Sequence, residues 1–366
     1  MPDIVFGTQA FTGFQIRDES AWGTGTGTWI DMPIISETLH TVYDQAPPSP
    51  EFGGVGAQIS AGVLNSRVEG EIRFNARLDA PWFHYWLGHI FGEEDIVLET
   101  GLDGAAAVGG NTHWYRPNNT FRSLAARAWK SGPTNAGSWS EFSGLVVGQC
   151  RITWDAEGLL TFIVSVTGRL ETLAAVSGTL GVPAGALTTK VRWLTNAGAN
   201  FQTGATLANR DILNFNILIN RNVTAARAFL NAIDTPNQPG PTSNRIVTCD
   251  IGRHLQQDFA ASGMPINEYL ARIGSKARIR IRDTALAGTA TVYGMDIDFP
   301  SILWNAGDNS LKQPDAIPEG LTFQAIQGAT AAPAQGDFDV RLGVYVDDAV
   351  DLDDHFTIDA GGVVQS

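Results

Sequence analysis

GQCRITWDAEGLLTFIVSVTGRL, residues 148–170, carries the clearest structural pattern in the sequence. Apolar residues occupy alternate positions on both sides of an acidic turn that ends at Gly158. A period of two on each side of such a turn is typical of an antiparallel β-hairpin. The pattern predicts a hairpin with one apolar face and one weakly polar face that is rich in hydroxyl groups.

The composition extends this β prediction to the whole chain. The sequence has 366 residues, of which 40 are glycine and 17 are proline, and 43% are hydrophobic. Its apolar residues recur mostly with period two between turn residues, which favours a mainly β protein. The length is sufficient for about two domains, each with its own core.

One order of elements occurs twice: strand, long turn-rich loop, strand, short helix, hairpin. The predicted helices begin at Pro81 and Pro265 and end near Gly92 and Gly274. We interpret the repeat as an internal duplication. The predicted domains are 1–180, with an insertion at about 93–139, and 190–336, followed by an acidic C-terminal tail at 337–366.

A second hairpin is predicted from KARIRIRD (276–283) and ATVYGMDIDFP (290–300). We interpret it as the counterpart, in the second half, of the hairpin at 148–170. Alternate apolar residues of the two segments can share one face. On the other face, Arg278 and Arg280 would meet Asp296 and Asp298, which predicts cross-strand ion pairs.

The charge of the chain limits its partners. Lys and Arg number 24 against 38 Asp and Glu, which gives a formal net charge of −14. Tight nucleic-acid binding relies on Lys and Arg to neutralise phosphates, so this balance argues against it. Only 17% of residues are charged, which indicates a surface partly covered by other protein. The N-terminus has no signal-peptide pattern and no long apolar run occurs, so we expect synthesis in the cytosol and no membrane span.

Catalytic, cofactor and metal sites are not predicted. His84 and His89 are five residues apart and do not share a helix face as a metal pair would. The two cysteines, Cys150 and Cys249, are interpreted as core residues. Ten tryptophans leave open a carbohydrate-binding, adhesin-like β-sandwich. A β-rich hydrolase with a carboxylate pair is a further alternative, because such pairs meet only in three dimensions.

Several of these stretches resemble the tail tube proteins of long-tailed, siphovirus-like bacteriophages. The resemblance is carried by GTQAFTGFQIRDESAWGTGTGTWIDMPIISETL (7–39), RVEGEIRFNARLDAPWFHYWLGHIFG (67–92) and FSGLVVGQCRITWDAEGLLTFIVSVTGRLE (142–171). DILNFNILINRN (211–222) and SKARIRIRDTALAGTATVYGMDIDFPSI (275–302) resemble the second-half elements. The similarity spans roughly 7–328 and consists of fold and turn patterns.

The resemblance implies two tandem β-sandwich or barrel-like tube domains, each with a short helix, that join copies into a ring around a channel. Stacked rings would form the virion tail, through which DNA passes without tight binding. Duplication favours a trimeric ring with pseudo-sixfold symmetry, with a hexamer as the alternative. A tape measure protein, a tail terminator and a distal tail protein are the further partners it implies, with synthesis in the host bacterial cytoplasm. The insertion and the tail are expected on the exterior or at ring contacts.

The resemblance also assigns roles to loops and hairpins. Loops at 44–62 and 220–244 would reach an adjacent ring, whereas the weakly polar faces of the hairpins would line the channel. The ring-stacking residues implied are Asp44, Pro48, Phe52, Gly54, Arg221, Phe229 and Gln238. The sheet and channel residues implied are Arg151, Thr153, Thr161, Ser165, Arg278, Arg280, Asp296 and Asp298.

Overall fold

The structure, a computed structural model, confirms that the protein is mainly β. It describes residues 12–25, 28–45, 63–78, 80–95, 111–117, 122–131, 137–155, 159–175, 200–203, 208–210, 212, 214–223, 243–254, 275–282, 294–308, 318–327 and 338–346.

The first half of the chain contains twelve strands and one helix among its described residues. The bounds are β1 Thr12–Ala21, β2 Thr24–Gly25, β3 Ile30–Asp31, β4 Ser36–Glu37, β5 His40–Gln45, β6 Val63–Asn75, α1 Pro81–Phe91, β7 Gly92–Asp95, β8 Asn111–Pro117, β9 Leu124–Ser131, β10 Gly137–Asp155, β11 Thr161–Gly168 and β12 Leu170–Ala175. The second half contributes β13 Asn200–Thr203, β14 Ala208–Arg210, β15 Asn214–Asn220, β16 Ile246–His254, β17 Ser275–Arg282, β18 Gly294–Asp308, β19 Pro318–Ile326 and β20 Arg341–Val346.

A central antiparallel sheet runs through both halves of the molecule. Its strand order is β5, β6, β11, β10, β15, β16, β19 and the second part of β18. The predicted hairpin at 148–170 is confirmed as β10 and β11, with Ile152 opposite Phe162. On its other edge β10 pairs with β15, so the two halves share one hydrogen-bonded sheet.

The strand pairings of the first half recur in the second half. Seven pairs have counterparts: β1–β9 and β13–β17, β1–β3 and β13–β14, β9–β10 and β17–β18, β10–β12 and β18–β20, β10–β11 and β18–β19, β6–β11 and β16–β19, and β5–β6 and β15–β16. An internal duplication would produce this repeated pattern.

The pairings correct one assignment made from the sequence. The segments 276–283 and 290–300 do pair, as β17 and β18, with Arg278 opposite Asp298. By its neighbours, however, this hairpin corresponds to β9–β10, and the counterpart of β10–β11 is β18–β19. The reason is that β10 and β18 each take part in two successive hairpins.

The predicted insertion and tail both contribute strands to the sheet of the second half. β8 pairs with β20, and β20 pairs with β18, so part of the first half extends the sheet of the second half. Within 93–139, β9 and the start of β10 have counterparts, which leaves β7 and β8 as the added part among the described strands. Phe338 and Val340 are buried with β20, so the predicted exterior tail begins later than residue 337. Apolar burial and edge pairing explain both corrections.

Helix α1 is the centre of the core. It begins at Pro81, as predicted, and every residue after Pro81 is buried. The ring of Phe83 contacts that of Phe162 edge-on, with centroids 5.3 Å apart, and Phe162 stacks on Phe74 with centroids 5.6 Å apart. The apolar face of the β10–β11 hairpin therefore packs against α1. The second predicted helix, 265–274, lies outside the described residues.

Truncating Phe162 should strongly destabilise the chain, because its ring touches both β6 and α1. We expect Phe162→Ala to lower the free energy of unfolding by roughly 3–5 kcal/mol. Leu173→Ala, at a side chain that is 77% exposed, should change it by about 0.5 kcal/mol or less. Urea unfolding followed by tryptophan fluorescence measures both variants, and equal losses would contradict the assigned core.

Candidate assembly and channel surface

The central sheet has one buried apolar face and one open polar face. On the polar face a row of residues crosses six strands, from β6 to β19, in register. Thr161 donates a hydrogen bond to Asn75 (3.0 Å), and Asp250 accepts one from Thr322 (2.8 Å). The members of this row are Asn75, Thr161, Thr153, Asn216, Asp250 and Thr322. Five of these six residues carry a neutral hydroxyl or amide group, so the row is mostly neutral.

Four of the predicted channel residues lie together on this polar face. Thr153 is directly opposite Thr161, and Arg151 is opposite Ile163 on the same pair of strands. Ser165, two residues further along β11, donates a hydrogen bond to Glu71. Arg151 is exposed, whereas Thr161 is buried between its neighbours. The structure brings these four residues onto one surface.

The other four predicted channel residues form the expected ion pairs. Arg278 donates to Asp298 at 2.5 Å, and Arg280 donates to Asp296 at 3.4 Å. The prediction of cross-strand ion pairs between β17 and β18 is therefore confirmed.

Burial of this network corrects the expectation that it faces a channel. Arg278, Asp296 and Asp298 are at most 1% exposed. Arg341 of β20 lies on the other side of Asp298 and donates to it at 3.1 Å. The ring of Trp114 covers the Arg341 guanidinium at 4.0 Å. The strands added next to β18 therefore enclose the network, and burial lowers the pKa of Arg341 although Asp298 acts in the opposite direction.

The structure places two of the predicted ring-stacking residues away from a projecting loop. Asp44 belongs to β5, where it pairs with Asn65 of β6. Arg221 is buried and donates to the carbonyl oxygen of His89 at 2.8 Å, near the C-terminal end of α1. A helix C-terminus carries partial negative charge, which suits this cation. Burial, and secondarily Arg245, lower the pKa of Arg221 to about 10.

The remaining stacking residues predicted from sequence, which are Pro48, Phe52, Gly54, Phe229 and Gln238, lie outside the described residues.

The outer strands of the central sheet are a feature that sequence reasoning missed. Among the described strands, β5 pairs only with β6, and β18 from Leu303 onward pairs only with β19. Large apolar side chains are exposed near these edges: Ile35 is 50%, Tyr43 60% and Leu303 46% exposed. Alternating apolar residues on a predicted strand look the same whether or not a neighbouring strand covers them, so the sequence carried no signal for the edges.

The tryptophans do not form an open stacking surface in the described part of the chain. Trp82, Trp86, Trp114, Trp129, Trp139 and Trp154 are all buried. Around Trp29, which is half-buried, Arg17 and Arg127 cover the ring at 4.2 and 4.3 Å. Sugar recognition by stacking needs an accessible ring face, so these contacts do not favour the adhesin-like alternative.

Metal-ligating clusters and long apolar helices are both absent from the described residues. The part of the chain described by the structure contains no group of three or more His, Cys, Asp and Glu residues that could hold a metal ion. Over the same residues, no helix has both the length and the apolar character needed to cross a membrane.

The chain matches the family described as Phage tail tube protein over residues 12–243. The match covers more than half of the chain, so the protein belongs to the phage tail tube family. Members of this family are structural components of the virion tail. No curated protein matches the chain.

Asp18 joins β1 to α1 and should make stability pH-dependent. Burial alone would raise the pKa of Asp18, but His89, whose Nε2 lies 3.4 Å from the carboxylate, and the hydrogen bond donated by Tyr85 outweigh it and lower this pKa. A carboxyl with a lowered folded-state pKa stabilises the fold above its unfolded-state value and loses that contribution as pH falls.

Asp18→Asn should therefore be less stable than the wild type at pH 7. The difference should shrink as the pH falls below about 4, where the unfolded-state carboxyl takes up a proton. Urea unfolding between acidic and neutral pH measures it, with Asp250→Asn on the exposed face as the charge control. A difference that does not vary with pH would contradict the role of the Asp18 carboxylate.

The enclosed ion-pair network gives a second prediction. Asp298→Ala would leave Arg278 and Arg341 buried next to an empty site, and removing one partner of a buried pair typically costs about 3–5 kcal/mol. Asp250→Ala removes an exposed carboxylate and should cost about 1 kcal/mol or less. Thermal unfolding by calorimetry compares the two, and equal melting temperatures would show that Asp298 is not buried as described.

Proposed function

We propose that this protein is the subunit of the tail tube of a long-tailed phage, and that its copies form stacked rings around a channel for DNA. Membership of the phage tail tube family supports this proposal. The observation that carries it is the central sheet, in which strands from both halves form one surface with a buried apolar face and an open polar face. We place the polar face towards the channel.

The chemistry of the polar face suits the passage of DNA. Its rows contain mainly Thr, Ser, Asn and Gln, and its acidic members Glu71 and Asp250 accept hydrogen bonds from neighbouring hydroxyl groups. Of the arginines on this face, Arg67 pairs with Glu69 at 2.5 Å, and exposed Arg151 lies between Ile163 and Leu218. A polyanion gains affinity from unpaired cations whose binding releases counterions. A surface of mainly neutral groups with few cations lets DNA slide without being held.

The repeated pairings favour a ring of three chains with pseudo-sixfold symmetry. Each half presents the same pattern of strands, and within one chain the two halves already meet through β10 and β15. If the same kind of contact joins neighbouring chains, three copies provide six similar positions around the ring. Closed cyclic assemblies of this kind leave no sheet edge exposed.

The stacking of rings and the other tail components extend the proposal. We assign the segments predicted from the sequence as stacking loops, within 44–62 and 220–244 and outside the described residues, to contacts between rings. By family resemblance, a tape measure protein, a tail terminator and a distal tail protein complete the tail, and assembly takes place in the host cytoplasm. The function proposed is structural, with no catalytic step.

Electron microscopy of the purified protein over a concentration series tests this function. We expect rings or hollow tubes with a central channel and a sixfold appearance. Native mass spectrometry of the ring should give the mass of three chains, whereas six chains would support the hexamer. Monomers at every concentration, in the microscope and by light scattering, would contradict the proposal.

A further inference from the structure

The contact between β10 and β15 provides a template for contacts between chains. These strands pair antiparallel from Gln149 opposite Asn220 to Asp155 opposite Asn214. Trp154 of β10 stacks on Phe215 of β15 with ring centroids 5.8 Å apart. Backbone pairing and aromatic packing thus join the two halves across this joint.

The counterparts of these two strands are the open edges of the central sheet. β15 lies next to β16 as β5 lies next to β6, and β10 lies next to β11 as β18 lies next to β19. In the second half, β18 should therefore present the edge that β10 presents in the first. The segment of β4 and β5 should present the edge that β15 presents.

The exposure of side chains agrees with a missing neighbour at these edges. On β15 the side chains that face the core, Phe215, Ile217 and Ile219, are at most 2% exposed because β10 lies beside them. On the open segment, alternation places Ile35 and Tyr43 on the side of buried Leu39, yet they are 50% and 60% exposed. The two edge segments differ in burial, and among the described strands only β15 has a neighbour on this edge.

The opposite edge shows the same difference. Trp154 of β10 is 4% exposed and contacts the next strand. Trp304 of β18 contacts Phe323 within its own half at 5.4 Å but is only half-buried, and the adjacent Leu303 is exposed. Among the described residues, an apolar surface and a row of backbone groups are therefore available on both edges.

We infer that the edge of β18 at 303–308 pairs antiparallel with the β5 edge of a second copy of this chain, covering the partner's Tyr43 next to Trp304. This inference deepens the proposed function by identifying the joint between copies. The contact joins two different edges, so it is heterologous and can propagate around a ring until it closes. It removes both open edges at once and buries their apolar side chains.

Cross-linking at Tyr43 tests the inference directly. Tyr43 is replaced by the photoreactive p-benzoylphenylalanine in the full chain, and isotope-labelled and unlabelled chains are mixed before assembly. After irradiation we expect an adduct between residue 43 and a peptide containing 303–308 from another copy, identified by mass spectrometry. The same probe at Leu173 of β12 is the control and should not give this adduct.

Charge substitution at the edge provides an independent readout. Tyr43→Lys alters an exposed side chain, so the variant should fold, with circular dichroism like that of the wild type, but should lose ring formation in electron micrographs. Leu173→Lys, which places the same charge at another exposed apolar side chain, should keep forming rings. Rings formed by Tyr43→Lys, or a residue 43 adduct to any other part of the chain, would overturn the inference.

The two proposals fail in different ways. If wild-type rings form but residue 43 is linked elsewhere, the edge assignment is wrong and the tube function stands. If the wild type forms no rings and no adduct at any concentration, both proposals are wrong.

Discussion

The structure depends on β10, which takes part in two sheets of the first half: the central sheet and a second sheet that also contains β1, β3, β9 and β12. Its first part, up to Ser143, pairs with β9 and β12, and its second part, from Val146, pairs with β11 and β15. Gly144 stands between them with a φ of +68°, a conformation that L side chains rarely adopt. A Cβ there would also lie 2.7 Å from the indole nitrogen of Trp22. The glycine lets one strand leave one sheet and enter the other.

The two halves are joined into one molecule by three contacts, two of which are backbone ladders. β15 adds a backbone ladder to β10, β8 adds another to β20, and Arg221 of the second half donates to the end of α1 in the first. The backbone ladders fix the relative direction and register of the strands, whereas the buried guanidinium of Arg221 fixes the position of α1. The halves repeat the same pairings, but they do not form independent bodies in the described structure.

Charges are used differently in the interior and on the polar face. In the interior, Arg278, Asp298 and Arg341 are enclosed together, and each depends on the others because an isolated buried charge is very unfavourable. On the polar face of the central sheet, carboxylates such as Asp250 remain accessible and accept hydrogen bonds from hydroxyl groups. Charged groups in the interior are thus enclosed together with their partners, whereas charged groups on the polar face remain accessible.

The sequence determined the local elements. Alternation and an acidic turn predicted the β10–β11 hairpin, Pro81 predicted the start of α1, and opposite charges on β17 and β18 predicted their ion pairs. These features depend on neighbours close along the chain or directly across one turn, so pattern alone was sufficient. The family resemblance also came from such local patterns, and the match over residues 12–243 confirmed it.

Tertiary structure decided which faces and edges are covered. Arg278 and Arg151 both lie on the non-core faces of predicted hairpins, yet only Arg278 is enclosed, by strands far away in sequence that the pattern could not place. Arg221 was predicted in an exposed loop but reaches the helix of the other half. Period-two alternation identifies two faces of a strand and not its neighbours. Those are determined by long-range backbone pairing, which the sequence does not encode locally.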